Sequence, residues 1–316
     1  MFSFFKKKNK DSQSEVPDWA TFFSKGEYTV FSKAVNDFFQ KLNLEYKIDD
    51  GVIYVGENDF GFKQLGLHNL AQMCKQNNTK DYPTVIKDHF ETMIRIHRFN
   101  EEFDKINNDF EKIEKYIGVR IYDREYAANL EKENLLIKEF AEGLVAMLIF
   151  DLPESVMNIK PEQIINWGKT VEELFEIGKK NIKKNYPVNL SEYKVQEHNI
   201  WFAEANHFFA SSIAFDMTDY PQIIGKQGSL ISFPNRHNVI IYPINSLDVI
   251  GVINHMLYLT SRMYEDGPGS LSDKIYWYNN GQYLNLPHRI ENEKQIFAPP
   301  QEFVDALNNM AEKNNE

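Results

Sequence analysis

The sequence predicts an α+β protein, a mostly antiparallel sheet packed with helices and preceded by an N-terminal helix and hairpin portion. Three observations carry this. Apolar residues recur at helical spacing in several long segments, and the branched or aromatic runs between them have strand length. Two such pairs of runs flank Asp49-Asp50-Gly51 and Asn279-Asn280-Gly281, whose glycines suit the positive φ of a tight hairpin turn. An apolar fraction of 42%, with 24 Phe and 16 Tyr among 316 residues, is enough to fill a substantial core.

Taken in order, Asp18 to Leu42 carries apolar residues at helical spacing, with a break expected at Gly26. Leu44 to Ile48 and Val52 to Val55 form the first hairpin, and Phe60 to Leu67 reads as a third strand. A short helix over Asn69 to Lys75 precedes a long one opened by Pro83 and running to about Ile113. Strand character returns in Val119 to Tyr122 and in Glu142 to Asp151, the latter apolar on both faces and so buried. Pro161 starts a helix that Gly168 closes, and Thr170 to Glu173 is a capping box for the next, ending near Lys183.

Tyr193 to Phe215 reads as two strands broken near Ala205 to His207, followed by a helix over Asp219 to Lys226. Leu230 to Phe233 and Val239 to Tyr242 make a hairpin through Pro234-Asn-Arg-His-Asn238. A helix over Asn245 to Tyr264, capped by Asn245 or Ser246, and a hairpin of Tyr276 to Tyr278 with Gln282 to Leu284 complete the core. The expected organisation is a basic tail at 1–16, a helical and hairpin portion at 17–116, an α+β core at 117–288, and a tether with a short helix, Glu302 to Met310, at 289–316.

Composition restricts function. A net charge of −11 opposes recruitment to nucleic acid, which needs a concentrated cationic surface. The dense basic cluster, Lys6, Lys7, Lys8 and Lys10, follows Met1, Phe2, Phe4 and Phe5, a stretch too short for more than weak contact with an anionic membrane surface. No apolar run has membrane-spanning length, and the order of apolar and charged residues in the tail is the reverse of a secretory signal. One cysteine, Cys74, leaves no intramolecular disulfide and fits a reducing cytoplasm.

Several phrases together resemble a known family. Val119-Arg-Ile-Tyr122, Ile149-Phe-Asp-Leu-Pro-Glu-Ser-Val156, Ile164 to Trp167, Glu172-Glu-Leu174, Ile231-Ser-Phe-Pro-Asn-Arg-His-Asn-Val239 and Gly267-Pro-Gly269 are similar to domain of unknown function 1444, the YtpQ-like bacterial proteins. The resemblance spans roughly Ser32 to Leu286. It implies a bacterial, non-secreted α+β fold, and supplies no reaction, ligand or site residue. Where that family usually shows Arg-Asp in the hairpin turn, this chain has Arg236-His237.

Motifs of chemistry are incomplete. Gly56 to Lys63 has P-loop glycine spacing, but its Lys is one residue late, no Ser or Thr comes after it, and Glu57 and Asp59 would repel phosphate. His89 and His97 share a helix face with Met93 between them and no third metal ligand in view, so no metal or cofactor is assigned. Asp151, Glu154, Asp216 and Asp219 suit helix-end capping better than acid–base work. Asn235, Arg236 and His237, at a hairpin tip, are the candidate contacts for a ligand or partner. The function expected from these residues is that of a non-catalytic protein-binding or regulatory module. The alternatives are a hydrolase assembled only in three dimensions, from Asp151, Asp216, Arg236 and His237, and an acidic immunity-type inhibitor of a basic toxin.

Overall fold

The computed structural model describes residues 16–56, 58, 61, 63–130, 135–266, 269–291 and 294–313. The basic cluster of the tail and Phe60 lie outside them. The chain divides into two compact units, Met1–Lys105 and Ile106–Glu316.

In the first unit, α1 (Lys25–Lys41) starts from a capping box in which Ser24 and Glu27 satisfy each other's backbone amides. The anticipated break therefore falls at Ser24, and Gly26 sits inside the first turn. Strands β1 (Tyr46–Asp49), β2 (Val52–Val55) and β3 (Gln64–Gly66) form an antiparallel sheet, turned at Asp50 and Gly51 with φ of 43° and 73°. Helices α2 (His68–Lys75) and α3 (Tyr82–Asp104) close over it, burying Phe31, Phe39, Tyr82, Ile86 and Phe90 in one core.

The second unit begins sooner than the sequence suggests. Helix α3 stops at Asp104, and the separate turn α4 (Phe110–Ile113) belongs to the second unit, because Trp167 donates to the Asn107 carbonyl and its ring meets Phe110 at 6.0 Å. Then come β4 (Ile117–Asp123), the short helix α5 (Arg124–Asn129), β5 (Ile137–Ala141), β6 (Leu144–Leu152) and β7 (Ser155–Asn158). Strand β6 is central, with β4 along one edge and β5 and β7 sharing the other. Helix α6 (Pro161–Trp167) ends at Gly168 in the left-handed region, and α7 (Val171–Asn185) opens on the Thr170–Glu173 capping box. Helix α7 comes close to β4 because both lack side chains at the crossing. A Cβ on Gly178 would lie 2.8 Å from Val119 Cγ2, and one on Gly118 would lie 2.9 Å from Ile182 Cδ1.

The second sheet has six antiparallel strands. Its order is β13 (Gln282–Asn285), β12 (Ile275–Asn279), β10 (Ser229–Asn235), β11 (Asn238–Pro243), β9 (His198–Glu204), β8 (Asn189–Val195). One face meets the sheet of β4 to β7 through Ile121, Leu144, Ile231, Phe233 and Tyr276. The other is covered by α8 (Val249–Asp266) and α9 (Gln301–Lys313) through Leu230, Trp277, Met256 and Phe303. Every register given by these sheets is antiparallel, so the α+β class holds.

Three expectations change. The β8–β9 turn falls at Gln196, and residues 210–215, read as strand, form a 3₁₀ run, Ala210–Phe215. The helix expected over Asp219 to Lys226 is two single turns, Met217–Asp219 and Pro221–Ile223. The tether after residue 288 contains a hairpin, β14 (His288–Glu291) with β15 (Lys294–Phe297), before α9.

Candidate functional site

Alternation along β4 fixes the start of the site. Val119 and Ile121 point to one face, Gly118, Arg120 and Tyr122 to the other. That second face is the apolar cluster of Tyr122, Val145, Met147, Ile149 and Phe209, so Arg120 enters a hydrophobic surface. It is 9% exposed, its Nε has no hydrogen-bond partner, and no carboxylate among the described residues forms an ion pair with it.

Arg236 reaches the same place from the β10–β11 turn. The turn has only two residues, Arg236 and His237, and it is strapped down. Arg236 N donates to the Gly269 carbonyl, Ala210 N to the Arg236 carbonyl, and Ala205 N to the His237 carbonyl. The tip is thus not the exposed loop its turn chemistry suggests. Asn235 is 2% exposed and is a strut, donating to the Met263 carbonyl and accepting from His237 N. Gly269, with φ of 71°, makes room for the Arg236 stem, since a Cβ there would lie 2.5 Å from Arg236 Cδ.

Both arginines meet the ring of Phe208. Arg236 Cζ is 4.2 Å and Arg120 Cζ 5.6 Å from its ring centroid, and Arg120 also lies 4.7 Å from the centroid of Tyr122. Tyr122 in turn stacks on Tyr126 at 5.9 Å with planes 5° apart. Each guanidinium carbon lies over an aromatic ring, and a guanidinium carries five N–H donors in its own plane for further partners. Burial and the Arg120 charge lower the pKa of Arg236. His237 steadies Arg236 through Nε to Nε2 contact at 3.4 Å, an arrangement that suits the imidazole tautomer with its hydrogen on Nδ1, facing the Ala205 carbonyl at 3.3 Å.

Arg120, Tyr122, Tyr126 and Arg236 border a cavity of about 380 Å³, whose wall also includes Asp123, Asn158, Val156 and Ser270 but neither Phe208 nor His237. The size is within the range of small-molecule sites.

The other anticipated residues divide. Asp151 lies in the β6–β7 hairpin, not at a helix start, and shares the face of Arg120. Burial pushes its carboxyl above the usual range, partly offset by a hydrogen bond from Tyr186 and by the charges of Arg120 and His207. Asp216 and Asp219 instead hold Lys183 of α7, Asp216 at 3.6 Å, and Asp216 does not border the cavity. The four groups of the hydrolase alternative are therefore not brought together as a set. Cys74 is buried in the first unit, with its thiol pushed up to about 11 by burial. Among the described residues, no three His, Cys, Asp or Glu side chains gather in a way that could hold a metal, and no helix is long and apolar enough to cross a membrane.

Arg120, Tyr122, Tyr126 and Phe208 were not singled out from the sequence. The signal for Arg120 was a lone charge inside an otherwise apolar strand.

The molecule is thus an α+β protein whose second unit presents a cavity with two arginines held by aromatic rings. No family model, curated protein or solved structure matches the chain.

Proposed function

We propose that the chain is a non-catalytic binding module with a regulatory role, and that it recognises a small anion between Arg120 and Arg236. The carrying observation is the burial of Arg120 with its Nε unpartnered and no carboxylate among the described residues in ion-pair contact with it. Removing a guanidinium from water costs several kcal/mol. Cation–π contacts return about 2 kcal/mol when desolvated. The remainder is offset by an anion in the cavity, where two planar donor forks match a phosphoryl or carboxyl group. The acidic character of the whole chain, −11, keeps large polyanions away while the local field selects a small one. Kinship with the YtpQ-like family belongs to the same proposal, resting on the phrases around β4, the β10–β11 turn and Gly269.

Thermal unfolding of the intact chain in phosphate, against chloride at equal ionic strength, tests the reading. Binding to the folded state stabilises it by an amount that, above Kd, grows with the logarithm of ligand concentration, so the midpoint keeps climbing. The expected result is a logarithmic rise with phosphate that is absent in Arg236→Gln. Identical midpoints in the two salts contradict it.

A further inference from the structure

We infer, building on that anion-binding reading, that the ligand is a nucleoside 5′-monophosphate, its phosphate on Arg120 and Arg236 and its base stacked on Tyr126.

Charge selects the phosphate. Two guanidiniums lie over one ring, at 4.2 and 5.6 Å from the centroid of Phe208, and a single carboxylate neutralises only one of them. A phosphate monoester carries roughly −1.5 to −2 charge and three strong acceptor oxygens, matching both.

The rings select an aromatic body. Arg236, Phe208, Arg120, Tyr122 and Tyr126 are in contact in succession, cation and ring, ending in two nearly parallel tyrosines. Tyr122 is 9% exposed and already meets both Arg120 and Tyr126, whereas Tyr126, at the end of the series, is 54% exposed where it borders the cavity. A base adds one more ring to that series, and stacking on an aromatic side chain is indifferent to which base it is.

Asp123 selects the sugar. A carboxylate in the wall weakens a bare anion, yet it is an acceptor for hydroxyl groups. One of its oxygens, Oδ1, takes the Tyr126 amide at 2.7 Å and so fixes the carboxylate beside that ring. A ribose between phosphate and base meets it, with the Asn158 side chain on the same wall. The cavity, about 380 Å³, is sized for one small ligand and not for a polymer.

Titration calorimetry on the full chain tests this with inorganic phosphate, ribose 5-phosphate, phenyl phosphate, and adenosine and uridine 5′-monophosphate. Both nucleotides are expected to bind at least tenfold tighter than ribose 5-phosphate, the order of one stacked base. Tyr126→Ala should remove that increment, and Asp123→Asn should weaken the nucleotides and not phenyl phosphate. Nucleotides no tighter than ribose 5-phosphate, or phenyl phosphate equal to the nucleotides, overturn the nucleotide assignment while phosphate binding itself stands. Heat from none of the five compounds overturns the anion-binding reading as well.

Discussion

Gly269 and Arg236 are fitted to one another: the hydrogen of the glycine occupies the place where a methyl group would stand 2.6 Å from Arg236 Nε. The backbone there is at φ of 71°, a region that costs L-residues about 1–2 kcal/mol. Gly269→Ala should therefore displace the guanidinium and lower phosphate affinity about tenfold, the worth of one charge-assisted hydrogen bond. Titration calorimetry against the parent chain measures it. Unchanged affinity would show that Arg236 does not hold the anion.

Asp151 sets a pH dependence. Burial raises its carboxyl above the ordinary value, so the folded chain binds this proton more tightly than the unfolded chain. Its stabilising share is complete below about pH 3.9 and is lost as pH rises through the folded-state value. The stability of Asp151→Asn relative to the parent should therefore increase as pH rises from about 4 to 7. Urea midpoints at intervals across that window give the difference directly. A difference independent of pH would place Asp151 in water, contrary to its setting here.

The crossing of α7 on β4 depends on Gly178. Its Cβ position is 2.9 Å from the Gly118 carbonyl carbon, which is backbone and cannot rotate aside. Gly178→Val should cost about 1–3 kcal/mol, the range for overpacking, read from urea unfolding. A neutral substitution would mean that the helix lifts without loss.

Asp216 separates the binding reading from the hydrolase alternative. Its pair with Lys183 is partly exposed, with side chains 31% and 48% accessible, and such pairs contribute about 0–1 kcal/mol. Asp216→Asn should thus cost less than about 1 kcal/mol and leave phosphate affinity unchanged. A large loss of binding would move Asp216 into the site.

Local chemistry made much of the fold legible. The Asp50-Gly51 and Asn280-Gly281 turns, the Gly168 stop and the Thr170 capping box each specify their own geometry within a few residues, and each is where the sequence places it. Residues 210–215 misled because burial, not strand pairing, is what selected their apolar side chains. Ala210, Ser211, Ile213 and Ala214 line a 3₁₀ run between the sheets. The site was half legible. Arg236 and His237 stood out as polar turn residues, but their burial depends on backbone partners at Ala205, Ala210 and Gly269, distant in sequence. Arg120 was hidden because alternation along a strand says that a side chain changes face, and not whether that face meets water or Phe208.

The most direct test of the central claim is Arg120→Met, followed by chemical unfolding and by phosphate titration of the same sample. If the guanidinium is buried for a ligand, Met should keep the packing of the stem, leave the unliganded chain at least as stable as the parent, and abolish phosphate binding. A variant destabilised by several kcal/mol that still binds phosphate as the parent does would make Arg120 a structural residue and contradict the account.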